Sequence, residues 1–215
     1  MKGGGTFLIF IAIIGLVVGG LVLATPQQNN TNTNRNSEET SVASEDPSLV
    51  NRADAPRIGP EGAKVMVVVF SDYLCPYCKN LHENLNKVLA DNPQTVSLTS
   101  RNFVVHPQAE IMAKAAEAAN RQGKFKEMND ELFKLSGETS EPTEDSMITL
   151  AKKLGLDTDK FKADIGSTQI QALVNKDNAD AQDLNLQGTP SAYLNGKHVE
   201  NIAQIDVMIK EALEK

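Results

Sequence analysis

An α/β fold in which two halves of one sheet are separated by a helical insertion is what this sequence predicts. Three observations carry the prediction. Residues 64–105 read as strand, helix, strand, which makes a parallel βαβ unit. Residues 106–187, about 80 in all, show only helical periodicity. Residues 190–213 then return to strand, a two-residue turn, a second strand and a last amphipathic helix.

The first strand, residues 64–71, is a run of Val, Met and Phe with no alternation, as expected for a strand covered on both faces. Pro76 suits the first turn of the helix that follows. That helix extends to about Asp91, with Leu81, Leu85, Val88 and Leu89 at core spacing. Pro93 lies beyond its end, and residues 95–105 form the second strand. In the insertion, helices are expected at 107–122, 124–135, 143–154, about 157–165 and 168–184. Gly123, Gly137, Gly155 and Gly188 punctuate them. Its alanines and methionines read as packing. Asn195-Gly196 is a two-residue hairpin signal between strands 190–194 and 197–199, and Asn201 caps the final helix.

The chain's two cysteines, Cys75 and Cys78, sit where the first strand feeds the first helix. Residues three apart on one helix bring their Cα atoms within disulfide reach, so the pair can open and close without refolding the chain. Unpaired N–H groups and the positive end of the dipole at a helix start favour a thiolate there. The chemistry implied is two-electron thiol–disulfide exchange. Two cysteines are too few for a stapled scaffold or a four-cysteine zinc site, and so short a loop makes a poor structural crosslink. Cys75, Cys78 and His82 also spell C-x-x-C-x-x-x-H, a donor set that suits copper or zinc, so a metallochaperone is the alternative from another class.

The chain has 215 residues and a net charge of −7, with both signs interspersed. No basic stripe appears, so nucleic acid is not an expected partner. Residues 7–24 are uncharged and apolar, preceded by Lys2, and read as a transmembrane anchor within 1–24 or as a signal peptide. Either reading places the remainder outside the cytoplasm. Residues 25–57 are rich in Asn, Thr, Ser and Glu and read as a disordered polar tether. The folded domain is then expected at 58–215, its sheet-bearing parts at 58–105 and 188–215 and its helical insertion at 106–187.

Residues 68–79 (Val-Val-Phe-Ser-Asp-Tyr-Leu-Cys-Pro-Tyr-Cys-Lys) and 187–196 (Gln-Gly-Thr-Pro-Ser-Ala-Tyr-Leu-Asn-Gly) together resemble the DsbA-like thiol:disulfide oxidoreductases of bacterial envelopes. The resemblance covers roughly Pro56 to the C-terminus. It implies a thioredoxin fold with an inserted helical domain, Cys75 as exposed nucleophile and Cys78 as buried resolving thiol. It also implies a cis Pro190 opposite the pair and a Thr189 backbone that pairs with an extended substrate, with Pro76 and Tyr77 completing the substrate-binding residues. Where relatives often carry a buried carboxylate six residues before the nucleophile, this chain has Val69, and Tyr77 stands where strongly oxidising relatives have histidine.

The expected function is thus an extracytoplasmic thiol:disulfide oxidoreductase that exchanges a Cys75–Cys78 disulfide with cysteine-containing secreted polypeptides, acting as an oxidase. A dedicated reductase or isomerase is the alternative within the same chemistry. No cofactor is called for. A membrane redox partner would restore the pair, and the chain is expected to be a monomer at the cell membrane.

Overall fold

The computed structural model describes residues 47–137 and 141–215. The expected anchor (1–24) and most of the tether lie outside the described residues. Among those described, no helix is long and apolar enough to cross a membrane.

The helices are α1 (Pro47–Val50), α2 (Pro76–Asp91), α3 (Glu110–Asn120), α4 (Phe125–Leu135), α5 (Glu144–Lys153), α6 (Thr158–Ile165), α7 (Thr168–Asp183) and α8 (Ile205–Glu214). The strands are β1 (Arg57–Ile58), β2 (Val65–Ser71), β3 (Val96–Asn102), β4 (Ser191–Leu194) and β5 (Lys197–His198), in the sheet order β1-β3-β2-β4-β5. β2 is central. It pairs parallel with β3 on one side and antiparallel with β4 on the other, so that Val67 faces Leu98 and Leu194 across the ladders. The apolar run of β2 has the predicted cause. One face packs Val65, Val67 and Val69 with Leu81, Leu85, Ile205 and Ile209 of α2 and α8. The other packs Val68 and Phe70 with Ala181, Leu184 and Val50.

The predicted hairpin forms. Asn195 and Gly196 both have positive φ, 48° and 79°, as a type I′ turn requires. The Asn195 side chain also accepts a 2.8 Å hydrogen bond from the Met66 backbone, pinning the turn to β2. The insertion is built around α3, whose Ala113, Ala115, Ala116, Ala118 and Ala119 are buried and let neighbouring helices approach closely.

The tether boundary at residue 57 is corrected: the fold begins by Pro47. Val50 is only 1% exposed, packed with Phe70 and Tyr193, and Arg52 and Ala55 are buried as well. Four helical residues in a polar context carry no periodicity, and they are held by the packing of Val50 and by Arg101, which donates to the Leu49 and Val50 carbonyls. β1 was also unforeseen. It adds antiparallel to β3 through Arg57 and Ile58. Gly59 follows at φ +93°, where a Cβ would stand 2.5 Å from the Val96 carbonyl oxygen, so only glycine fits.

Candidate active site

The loop from β2 to α2 sets the geometry. Asp72 is buried, and its carboxylate accepts from the backbone N–H groups of Leu74 (2.7 Å), Val105 and His106 (both 2.8 Å). It thereby ties the active loop to the chain leaving β3. Its carbonyl accepts from the Cys75 N–H at 3.1 Å. Cys75 is the N-cap of α2, with extended backbone (φ −78°, ψ 119°), and Pro76 takes the first helical turn, where its missing N–H costs nothing.

Both cysteines are free thiols. Cys75 is 5% exposed and Cys78 2%, which corrects the expectation of an exposed nucleophile. The cover comes from the opposite loop, where Thr189–Pro190 is cis and the Thr189 carbonyl accepts from the Cys75 Sγ at 3.4 Å. Pro76 and Tyr77 are exposed, Tyr77 at 73%, while Thr189 and Pro190 are half-buried. A surface groove of about 420 Å³ runs along Gln187, Thr189, Pro190 and Ser191. The structure therefore gathers the cysteine pair and the Thr189–Pro190 loop into one site.

Burial pushes the Cys78 thiol far above the ordinary cysteine range. The Asp72 backbone N–H opposes that shift, while proximity to Cys75 adds to it. Lys79 does not turn toward the sulfurs; its Nζ donates to the Ser136 carbonyl at 3.1 Å.

His82 is buried one turn beyond Cys78, stacked on Phe133 with ring centroids 4.5 Å apart. Its Nε2 lies 3.0 Å from Asp130 Oδ1 and its Nδ1 3.4 Å from the Asn129 amide. Among the described residues no group of three or more His, Cys, Asp or Glu side chains could hold a metal ion, so the C-x-x-C-x-x-x-H reading of Cys75, Cys78 and His82 does not assemble.

Sequence reasoning also missed a buried polar cluster on the other side of the sheet. Asp177 accepts from Arg101 (2.6 Å), Arg52 (2.9 Å) and the Asn102 backbone (2.8 Å), and Asn102 Nδ2 donates to Glu117 at 3.1 Å. Burial, with the nearby Asp177 carboxylate, pushes the Glu117 carboxyl up to about 7, against the opposing Asn102 hydrogen bond. The folded state therefore holds a proton that the unfolded chain has released. This contribution to stability is full below about pH 4.5 and is lost as pH rises through 7, a loss on the order of 3 kcal/mol. Glu117→Gln keeps the amide contact and cannot ionise. Urea unfolding at pH 5 and pH 8 should show the variant losing less stability between the two than the wild type; parallel losses would refute the assignment.

The sequence matches the Thioredoxin family over residues 52–214. A probable disulfide bond formation protein D of Bacillus cereus is 32% identical over 169 residues, covering 74% of this chain and 76% of that protein. The Na(+)/H(+) antiporter NhaA 1 of Salinispora arenicola is 32% identical over 159 residues, 70% of this chain, but the match spans only 23% of the antiporter's length. A crystal structure of a thioredoxin-like oxidoreductase from Silicibacter pomeroyi superposes with a TM-score of 0.66 at 28% identity, covering 78% of this chain and 97% of the other. The order of strands around β2, the cysteine pair opening α2 and these likenesses agree: the chain belongs to the thioredoxin family, among its DsbA-like thiol:disulfide oxidoreductases.

Proposed function

We propose that this protein is a membrane-tethered, extracytoplasmic oxidase that passes a Cys75–Cys78 disulfide to cysteine-containing secreted polypeptides. One observation carries the reading: Cys75 caps the start of α2 with its sulfur 3.4 Å from the carbonyl preceding cis-Pro190, while Cys78 is buried behind it. A client thiolate attacks Cys75 Sγ of the disulfide, Cys78 leaves, and the client's second thiol resolves the mixed disulfide. The client backbone pairs with Thr189 beside Pro190, and Pro76 and Tyr77 line its path. A membrane partner then reoxidises the pair. The apolar residues 7–24 support the anchor and the location.

The direction of flow is read by equilibrating the protein with glutathione buffers. A reduction potential between about −120 mV and about −270 mV, nearer the oxidising limit, supports the oxidase, and a value at or below the reducing limit assigns a reductase instead. Tyr77 in place of histidine keeps the expected value short of the most oxidising extreme.

A further inference from the structure

Cys78 presents a proton problem. Its thiol is buried and strongly protonated, yet each cycle requires the sulfur to leave as a thiolate and later to attack as one. Val69, six residues before Cys75, offers no group to help.

A mainly apolar cavity of about 20 Å³, with Leu81, Leu85, Leu98 and Phe133 in its walls, lies beside Cys78, and Ser71, His82, Ser100 and Asn129 supply its polar edge. That volume accommodates one water, and the two serines, the imidazole and the amide give such a water polar partners. A second, open pocket of about 240 Å³ is lined by His82, Asn86, Asp130 and Lys134 with Glu83. The His82 ring is thus a wall shared by the interior cavity and the surface pocket. Its two nitrogens face different neighbours. Nε2 meets the Asp130 carboxylate, with the Asn86 amide 2.9 Å away, and Nδ1 is turned to Asn129, which lines the cavity. Burial opposes ionisation of Asp130, but hydrogen bonds with His82, Lys126 and Asn86 outweigh it and hold the carboxyl well below its usual range. Asn129 Oδ1 accepts from the Tyr73 hydroxyl, so its Nδ2 faces the ring and Nδ1 is the acceptor, which places the ring proton on Nε2 against the Asp130 carboxylate. The charged groups facing the ring or its pocket are Asp130, Lys126 behind it, Glu83 and Lys134.

We propose that His82 takes and returns the proton of Cys78 through one water held in the cavity that both line. The inference rests on the exchange reading above. When the client thiolate attacks Cys75, a client–Cys75 S–S bond forms and the Cys75–Cys78 bond breaks. The departing Cys78 thiolate is protonated from the water, which is refilled from imidazolium Nδ1–H. In reoxidation by an external disulfide the sequence reverses. That disulfide first joins Cys75, releasing one of its sulfurs as a thiolate. The Cys78 S–H proton then passes by the water to Nδ1, the Cys78 sulfur attacks Cys75 Sγ, and the second sulfur leaves as a thiolate. The imidazolium, its Nε2 held 3.0 Å from Asp130 Oδ1, keeps the proton taken at Nδ1 and returns it to Cys78 in the next exchange.

The test follows the reduced protein, rapidly mixed with oxidised glutathione from pH 6 to 9, by mass spectrometry of quenched samples. Attack by Cys75 appears as the mixed disulfide, and closure by Cys78 as its disappearance. In His82→Gln, closure at pH 7 should slow on the order of a hundredfold while mixed-disulfide formation keeps its rate. The wild-type closure rate should level off with pH, whereas the variant's keeps climbing about tenfold per pH unit as hydroxide substitutes for the base. Asp130→Asn, which keeps the ring and removes its outer acceptor, should slow closure by a smaller factor and decides the matter if His82→Gln does not fold. Closure at wild-type rate in both variants, or an equal slowing of both steps at every pH, overturns the proton role while leaving the exchange chemistry intact. If the wild type itself forms no mixed disulfide, the exchange reading fails and this inference with it.

Discussion

Cys75→Ser should abolish disulfide exchange, lowering turnover of a reduced client on the order of a thousandfold or more, to the rate of buffer alone. The reason is chemical rather than structural. A serine at the N-cap keeps a donor for the Thr189 carbonyl and is a favourable residue at that place in a helix, so the fold should hold. An alcohol, however, neither attacks nor accepts a disulfide sulfur at neutral pH. Cys78→Ala should fail differently. It retains Cys75 and so reacts with a disulfide, but the mixed species has no second thiol behind it and accumulates. Together the pair of variants assigns the order of events: one yields no covalent adduct, the other a trapped one. An adduct on Cys75→Ser would sink the assignment of the outer sulfur.

Arg101→Met should cost about 3–5 kcal/mol of folding stability, the range found when one partner of a buried ion pair is removed. Arg101 is fully buried and lies over the Phe70 ring, 4.8 Å from its centroid. Its guanidinium donates to Asp177, to Asp180 and to the carbonyls of Leu49 and Val50. The methionine fills much of the space but leaves Asp180 with the half-exposed Lys176 and a longer 3.7 Å contact to Arg52, and Asp177 with Arg52 and Asn102. For a domain stable by roughly 5–15 kcal/mol, such a loss removes a large share of the total. Lys176→Ala, at an exposed end of the same cluster, should cost no more than about 1 kcal/mol. Urea midpoints of the two variants check the contrast. Similar shifts for both would show that the cluster is not desolvated as its burial indicates.

Most of the architecture was legible because its elements are long enough to carry a period. The apolar run of β2, the leucine spacing of α2, the Asn195-Gly196 turn and Gly123, Gly137 and Gly155, all at positive φ just past helix ends, each state a local preference that the fold honours. α7 instead ends before Asn185, at positive φ, ahead of Gly188. The cysteine pair was legible for a similar reason, since its chemistry depends on a three-residue spacing. What could not be read was set by distant partners. α1 and β1 are four and two residues long and are held by Arg101, Thr99 and Phe70, none of which is near them in sequence. Asp177 and Asp180 look like one solvated helix face until Arg52 and Arg101 are brought onto them. His82 was legible as a residue of interest but not in its role, because its partners Asn129 and Asp130 come from α4, some 47 residues on.

The two outermost strands, β1 and β5, are each only two residues long. A protein proposed to handle unfolded chains meets polypeptides ready to zip onto any unpaired strand, and a long bare rim would seed fibril-like growth. Here a stray chain finds two peptide groups at either border, too few to nucleate. The brevity of the rims thus limits edge pairing with clients, and under the proposed function it leaves the loop before Pro190 as the place offered to an incoming strand.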